Sequence, residues 1–129
     1  MINEAILKTL TVLYVEDDEF IRKMLARFLR RRVAAVYEAG NGKEGLEAYI
    51  KNKDEIDIVI TDIEMPVMNG IEMIDRIFEI EESQPIIITT AYRDEEHTSD
   101  KVCRNVIKPI DEEKLLESMI HCIGRKGIS

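Results

Sequence analysis

The chain has 129 residues, 45% of them hydrophobic and 34% charged, a balance that argues against disorder and suits one globular domain, residues 1–129, around one core. A net charge of −8 disfavours nonspecific attachment to nucleic acid or to an anionic membrane surface. No apolar run is long enough to span a bilayer and the N-terminus carries no secretory signal, so the expected setting is the cytoplasm.

Residues 11–15 form the first apolar run of strand length, and YVEDDEF follows, with four acids side by side. Phe20, Ile21, Met24, Leu25, Phe28 and Leu29 recur at helical spacing and predict a first amphipathic helix, with Asp18 as its N-cap and Glu19 complementing its positive end. Arg30-Arg31-Arg32 reads as the solvated basic end of that helix. A second strand is predicted over 33–37, and after the turn Gly40-Asn41-Gly42 the residues Leu46, Tyr49 and Ile50 mark a second helix. The third strand is expected over 56–61. Pro66 and Asn69-Gly70 then turn the chain into a third helix marked by Ile71, Ile74, Ile77 and Phe78, whose solvated end carries Glu79, Glu81 and Glu82.

The fourth strand is expected over 85–90. Residues 93–101, RDEEHTSDK, offer no aliphatic or aromatic side chain for burial, so a fourth helix there is expected to be short, frayed or mobile. A fifth strand follows over 105–107. The last helix is marked by Leu115, Leu116, Met119, Ile120 and Ile123, capped by Asp111, with Gly124 near its C-terminus and residues 125–129 as a tail. Cys103 and Cys122 lack the short spacing of a zinc site and are expected as reduced, structural thiols. His97 and His121 have no spaced ligand partners and read as surface histidines.

The first, third and fourth strands are nearly continuous in Val, Ile and Leu, as strands covered on both faces require. Alternating strands and helices make right-handed crossovers, so the expected fold is α/β: a single doubly wound five-stranded parallel sheet, in a flavodoxin-like order 2-1-3-4-5. Ligands of such sheets bind beyond the carboxyl ends of the strands, where the winding direction reverses. Glu16 and Asp17 follow the first strand and Asp62 the third, its neighbour in that order.

Two carboxylates about 4 Å apart repel by roughly 4 kcal/mol at an effective dielectric near 20, so three in one hollow call for a counterion. Mg²⁺ fits, because it takes one or two carboxylates, keeps several waters and leaves positions for phosphate oxygens; the backbone carbonyl of Glu64 is placed to join them. Beside such an ion the Asp62 carboxylate is a competent nucleophile towards phosphorus. Thr90 and Lys108 close the fourth and fifth strands at the same rim, offering a hydroxyl and an ammonium to a phosphoryl group.

With VEDD, ITDIEMPVMNG, TTAY and VIKPI in this order, the sequence closely resembles the receiver domain of two-component response regulators over about residues 9–123. The resemblance implies transfer of a phosphoryl group from a histidine kinase or phosphotransfer protein to Asp62, with Mg²⁺ held by Glu16, Asp17, Asp62 and the Glu64 carbonyl. It further implies that Lys108 pairs with the phosphate, that Pro109 follows a cis bond, and that Thr90 and Ala91 couple phosphorylation to a surface read by a downstream protein or fused effector domain. Enzymatic action would be limited to the module's own phosphorylation and slow dephosphorylation. The kinase would dock on the first helix, near Phe20, Ile21, Lys23 and Met24. Two departures fall on the output side: only 18 positions separate Thr90 from Lys108, and Asn105 stands where the family usually carries an aromatic switch residue. Two other readings compete. One is a constitutive protein-binding module built on a degenerate receiver. The other is a Mg²⁺-dependent phosphohydrolase with Glu64 as acid/base, although the chain has no cap region to select a small substrate.

Overall fold

A computed structural model describes residues 3–91 and 102–128. The expected helix over 93–101 and His97 therefore lie outside the described residues.

In chain order the elements are α1 (Glu4–Leu7), β1 (Thr11–Val15), α2 (Glu19–Arg30), β2 (Ala35–Ala39), α3 (Gly42–Asn52), β3 (Ile58–Asp62), α4 (Gly70–Ile80), β4 (Ile86–Thr90), β5 (Arg104–Ile107) and α5 (Glu112–Ile128). The strands form one parallel sheet in the order β2-β1-β3-β4-β5, the order read from the sequence. Every residue of β3 and β4 is buried, which is why these strands are continuous in β-branched residues. Two cores result, one per face. Val12, Tyr14, Ile58, Ile60 and Ile87 pack under α2 and α5, while Leu13, Val15, Val59, Ile86 and Ile88 pack under α3 and α4.

Cap chemistry sets where the helices begin. Asp18, Asn41, Asn69 and Asp111 each accept a hydrogen bond from the amide three residues on, at 2.9, 2.8, 2.9 and 3.1 Å, opening α2, α3, α4 and α5. The Asp18 and Asp111 caps match the sequence reading.

Four expectations are corrected. β2 begins two residues later than expected because Arg31 to Val33 are still bonded to the end of α2. The stripe of α2 is only partly core: Leu25 and Leu29 are buried beside Ala26, whereas Phe20 is 74% and Met24 59% exposed. α5 runs on through Gly124 to Ile128, so residues 125–128 are helix and not tail. Cys103 and Cys122 form a disulfide with Cα atoms 5.8 Å apart, instead of two free thiols. Its cause is tertiary, because the entry to β5 passes alongside the buried face of α5 that carries Cys122.

The sequence reading also passed over α1, a single turn capped by Asn3 that buries Leu7 against the α2/α5 core. Among the described residues no helix is long and apolar enough to cross a membrane.

Candidate functional site

The parallel register brings the carboxyl ends of β1, β3, β4 and β5 to one rim. Val15 pairs with Thr61, Asp62 with Thr89 and Thr90 with Ile107, so the residues that follow β1 and β5 face Asp62 from either side. Glu16, Asp17 and Asp62 meet there, and each offers a carboxylate oxygen within 4.8 Å of the other two. Glu16 is 1% and Asp62 8% exposed, while Asp17 faces solvent.

Lys108 reaches into this hollow from the end of β5. Its Nζ donates to Glu16 Oε1 at 3.1 Å and to Asp62 Oδ2 at 3.2 Å. The second oxygen of each acid is held by backbone: the Asp18 amide donates to Glu16 Oε2 at 3.1 Å, and the Ile63 amide to Asp62 Oδ1 at 2.8 Å. Both acids are thus fixed in place, as a preorganised site requires.

The charges strain against one another. Burial raises the Glu16 carboxyl above its usual range and the Asp62 charge adds to this, against the Asp18 amide and Lys108. Burial alone would lower the Lys108 ammonium, but the Glu16 hydrogen bond and the Asp62 charge outweigh it and leave the group above its ordinary value. Lys108 is therefore a fixed cation. Three oxygen donors with negative charge in excess suit a hard dication, and the donor chemistry fits Mg²⁺.

The loop from β3 to α4 closes beneath Asp62. The Gly70 amide donates to Ile63 O at 2.8 Å, and a Cβ on Gly70 would lie 2.2 Å from the Asp62 carbonyl oxygen. Only glycine permits that approach. In the same loop Val67 takes φ 71°, an uncommon conformation for a β-branched residue. On the other side, the Lys108 amide donates to Thr90 O at 2.7 Å, and the Lys108–Pro109 bond is cis, as the resemblance implied.

The structure thus brings together Glu16, Asp17, Asp62 and Lys108. Thr90, buried, ends the adjacent strand, followed by the exposed Ala91; Glu64 is exposed in the loop after Asp62. Asn105 is exposed on β5, two residues after the disulfide-bonded Cys103, and no aromatic ring occupies its position. Sequence reasoning missed Arg22. Its Nη1 donates to Glu16 O at 2.9 Å and its Nε to Glu38 Oε1 at 3.4 Å. The available signal was its place one turn beyond the Asp18 cap, because helical side chains lean back towards the N-terminus.

An acidic pocket with a lysine from the last strand, at the rim of a 2-1-3-4-5 parallel sheet, places the chain among the signalling modules of two-component systems. The family model for the response regulator receiver domain matches residues 12–120, and the chain belongs to that family. Chemotaxis protein CheY of Treponema pallidum is 32% identical over 111 residues, covering 82% of this chain and 77% of CheY. A cyclic di-GMP phosphodiesterase of Thermotoga maritima is 30% identical over 121 residues, 91% of this chain, but the chain spans only 32% of that relative. Among solved structures, a CheX–CheY–BeF3–Mg complex from Borrelia burgdorferi superposes with a TM-score of 0.82 at 28% identity, covering 93% of each chain.

Proposed function

We propose that residues 1–129 act as one phosphoacceptor module, in which Asp62 takes a phosphoryl group from a phosphohistidine of a kinase or phosphotransfer protein. The observation that carries this reading is Lys108 Nζ bridging Glu16 and Asp62, with Asp17 alongside. An Asp62 oxygen attacks phosphorus, the P–N bond breaks, and the leaving imidazole nitrogen takes up a proton. Lys108, no longer shared between two carboxylates, follows the charge onto the phosphoryl oxygens. Mg²⁺ held by Glu16, Asp17, Asp62 and the Glu64 carbonyl would neutralise the phosphoryl oxygens. Attack of water on phosphorus restores the Asp62 carboxylate and releases phosphate, so the chain acts on no separate substrate.

The Thr90 hydroxyl is the group that turns towards the phosphoryl oxygens, with Ala91 giving it room, and the movement alters the surface around β4 and β5. Asn105 takes no part as an aromatic switch. The output is read by a downstream protein or a fused effector domain, and the kinase docks on the exposed residues Phe20, Ile21, Lys23 and Met24 of α2. This traffic belongs in the cytoplasm.

Incubation with a small phosphodonor and Mg²⁺ tests the reading by intact mass. The wild type is expected to gain one phosphoryl group and Asp62→Asn none. Equal gain by both proteins refutes Asp62, and no gain by either favours a module that binds constitutively.

A further inference from the structure

Arg22 is the one cation of α2 that touches both the acidic pocket and the neighbouring strand. Glu38, on the edge strand β2, collects three cations from α2: Arg30 at 2.8 Å, Lys23 at 3.3 Å and Arg22 at 3.4 Å. Burial alone would raise the Glu38 carboxyl, but the hydrogen bonds of Arg30 and Lys23 outweigh it and hold the group below its ordinary range. Glu38 is therefore a charged anchor. From it the Arg22 guanidinium crosses to the Glu16 carbonyl, the peptide that joins Glu16 to Asp17. The Glu16 amide is in turn bonded to Ala39 O at 3.0 Å, so the peptide units on both sides of Glu16 are tied to β2 or to a side chain anchored there.

From this geometry we infer that Arg22 is a positioning residue for the cation pocket, acting through the Glu16–Asp17 peptide and not through its own charge. The inference rests on the reading that Glu16, Asp17 and Asp62 hold Mg²⁺. Charge and position make opposite demands. A guanidinium near three carboxylates weakens attraction for a dication, so losing its charge alone would tighten Mg²⁺ binding. Losing its hydrogen bond frees the peptide that aims Asp17, and losses of supporting groups around metal ligands weaken affinity by about tenfold or more. Lysine keeps the charge but has no planar fork with which to span Glu38 and the Glu16 carbonyl.

The test is calorimetric Mg²⁺ titration of the wild type, Arg22→Lys, Arg22→Gln and Arg30→Gln, with thermal melting of each protein. Arg30→Gln removes the shortest Glu38 ion pair without touching Glu16, and separates general loosening of α2 from positioning. The expected result is Mg²⁺ affinity about tenfold weaker in both Arg22 variants, and wild-type affinity in Arg30→Gln even where its melting temperature falls. Amide hydrogen exchange at Glu16 should quicken only in the Arg22 variants. Unchanged affinity in Arg22→Lys with tighter binding in Arg22→Gln would show a charge effect and overturn the inference, as would affinities within twofold of the wild type. Equal weakening in Arg30→Gln overturns it too. A wild type that binds no Mg²⁺ overturns instead the reading of the pocket on which the inference depends.

Discussion

Replacing Lys108 by methionine keeps the bulk of the side chain and removes the cation shared by Glu16 and Asp62. Each contact is worth about 1.3 kcal/mol in water and about 5 kcal/mol at an effective dielectric near 20, at distances of 3.1 and 3.2 Å. Protonation limits the loss. Glu16 can escape its buried charge by staying protonated, and from an ordinary value of 4.5 that escape costs at most about 3.4 kcal/mol at pH 7. Part of that cost is already present in the wild type, where the Glu16 carboxyl is raised, so the expected loss lies below that ceiling. For 129 residues the ceiling corresponds to a fall of at most about 12 °C in Tm.

The sign with pH follows from the direction of the Glu16 shift. A carboxyl raised in the fold costs stability only above its unfolded value, because below that value it is protonated in both states. Urea denaturation of the Mg²⁺-free proteins should therefore show the Lys108→Met deficit at pH 7 and a deficit that shrinks as pH falls towards 4.5, where Glu16 is protonated in both folded proteins. Added Mg²⁺ should stabilise the variant more than the wild type, since no ammonium competes for the acids; tenfold tighter binding at saturation adds about 1.4 kcal/mol. A variant as stable as the wild type at pH 7, or a deficit independent of pH, would refute the account of the pocket as a strained cluster of acids held by one lysine.

Phe20→Glu on the exposed face of α2 should slow phosphotransfer from a kinase at least tenfold while leaving labelling by a small phosphodonor unchanged, and equal slowing of both would place Phe20 in the fold instead. Tyr14 is wholly buried and its hydroxyl has no hydrogen-bond partner among the described residues, so Tyr14→Phe should stabilise the protein by about 1 kcal/mol, seen as a higher urea midpoint at unchanged slope. Glu38 is held below its ordinary range, so it contributes stability above pH 4.5 that is lost as pH falls through its folded value. Glu38→Gln should accordingly flatten the acid limb of Tm against pH, and an unchanged limb would show that the α2 cations give Glu38 nothing.

What the sequence made legible follows from how far each interaction reaches. Ile86 to Thr90 announces a strand covered on both faces, and Asp18 and Asp111 announce caps, because each of these signals lies within a few residues of its effect. Glu16, Asp17, Asp62 and Lys108 were legible because a parallel sheet sends every strand end to one rim, so an acid or lysine just past a strand is already placed. Three features fell outside that logic. The Cys103–Cys122 bridge depends on how α5 lies against the entry to β5. The four residues of α1 are too few to show a period. Phe20 and Met24 have the spacing of core residues, and only the position of α2 over the sheet shows that Leu25, Ala26 and Leu29 fill the core without them.

Lys108 and Glu16 stand 92 residues apart along the chain. Contacts of such separation form late, since closing the intervening loop costs entropy before the contact repays it. The acids of β1 and β3 can come together from the first half of the chain, but their counter-charge arrives only when the last strand docks. On the proposed chemistry, a nascent or partly unfolded molecule presents an Asp62 without its lysine and is a poor acceptor. On that chemistry, the acceptor site is complete only once β5 has docked and brought Lys108 to the acids.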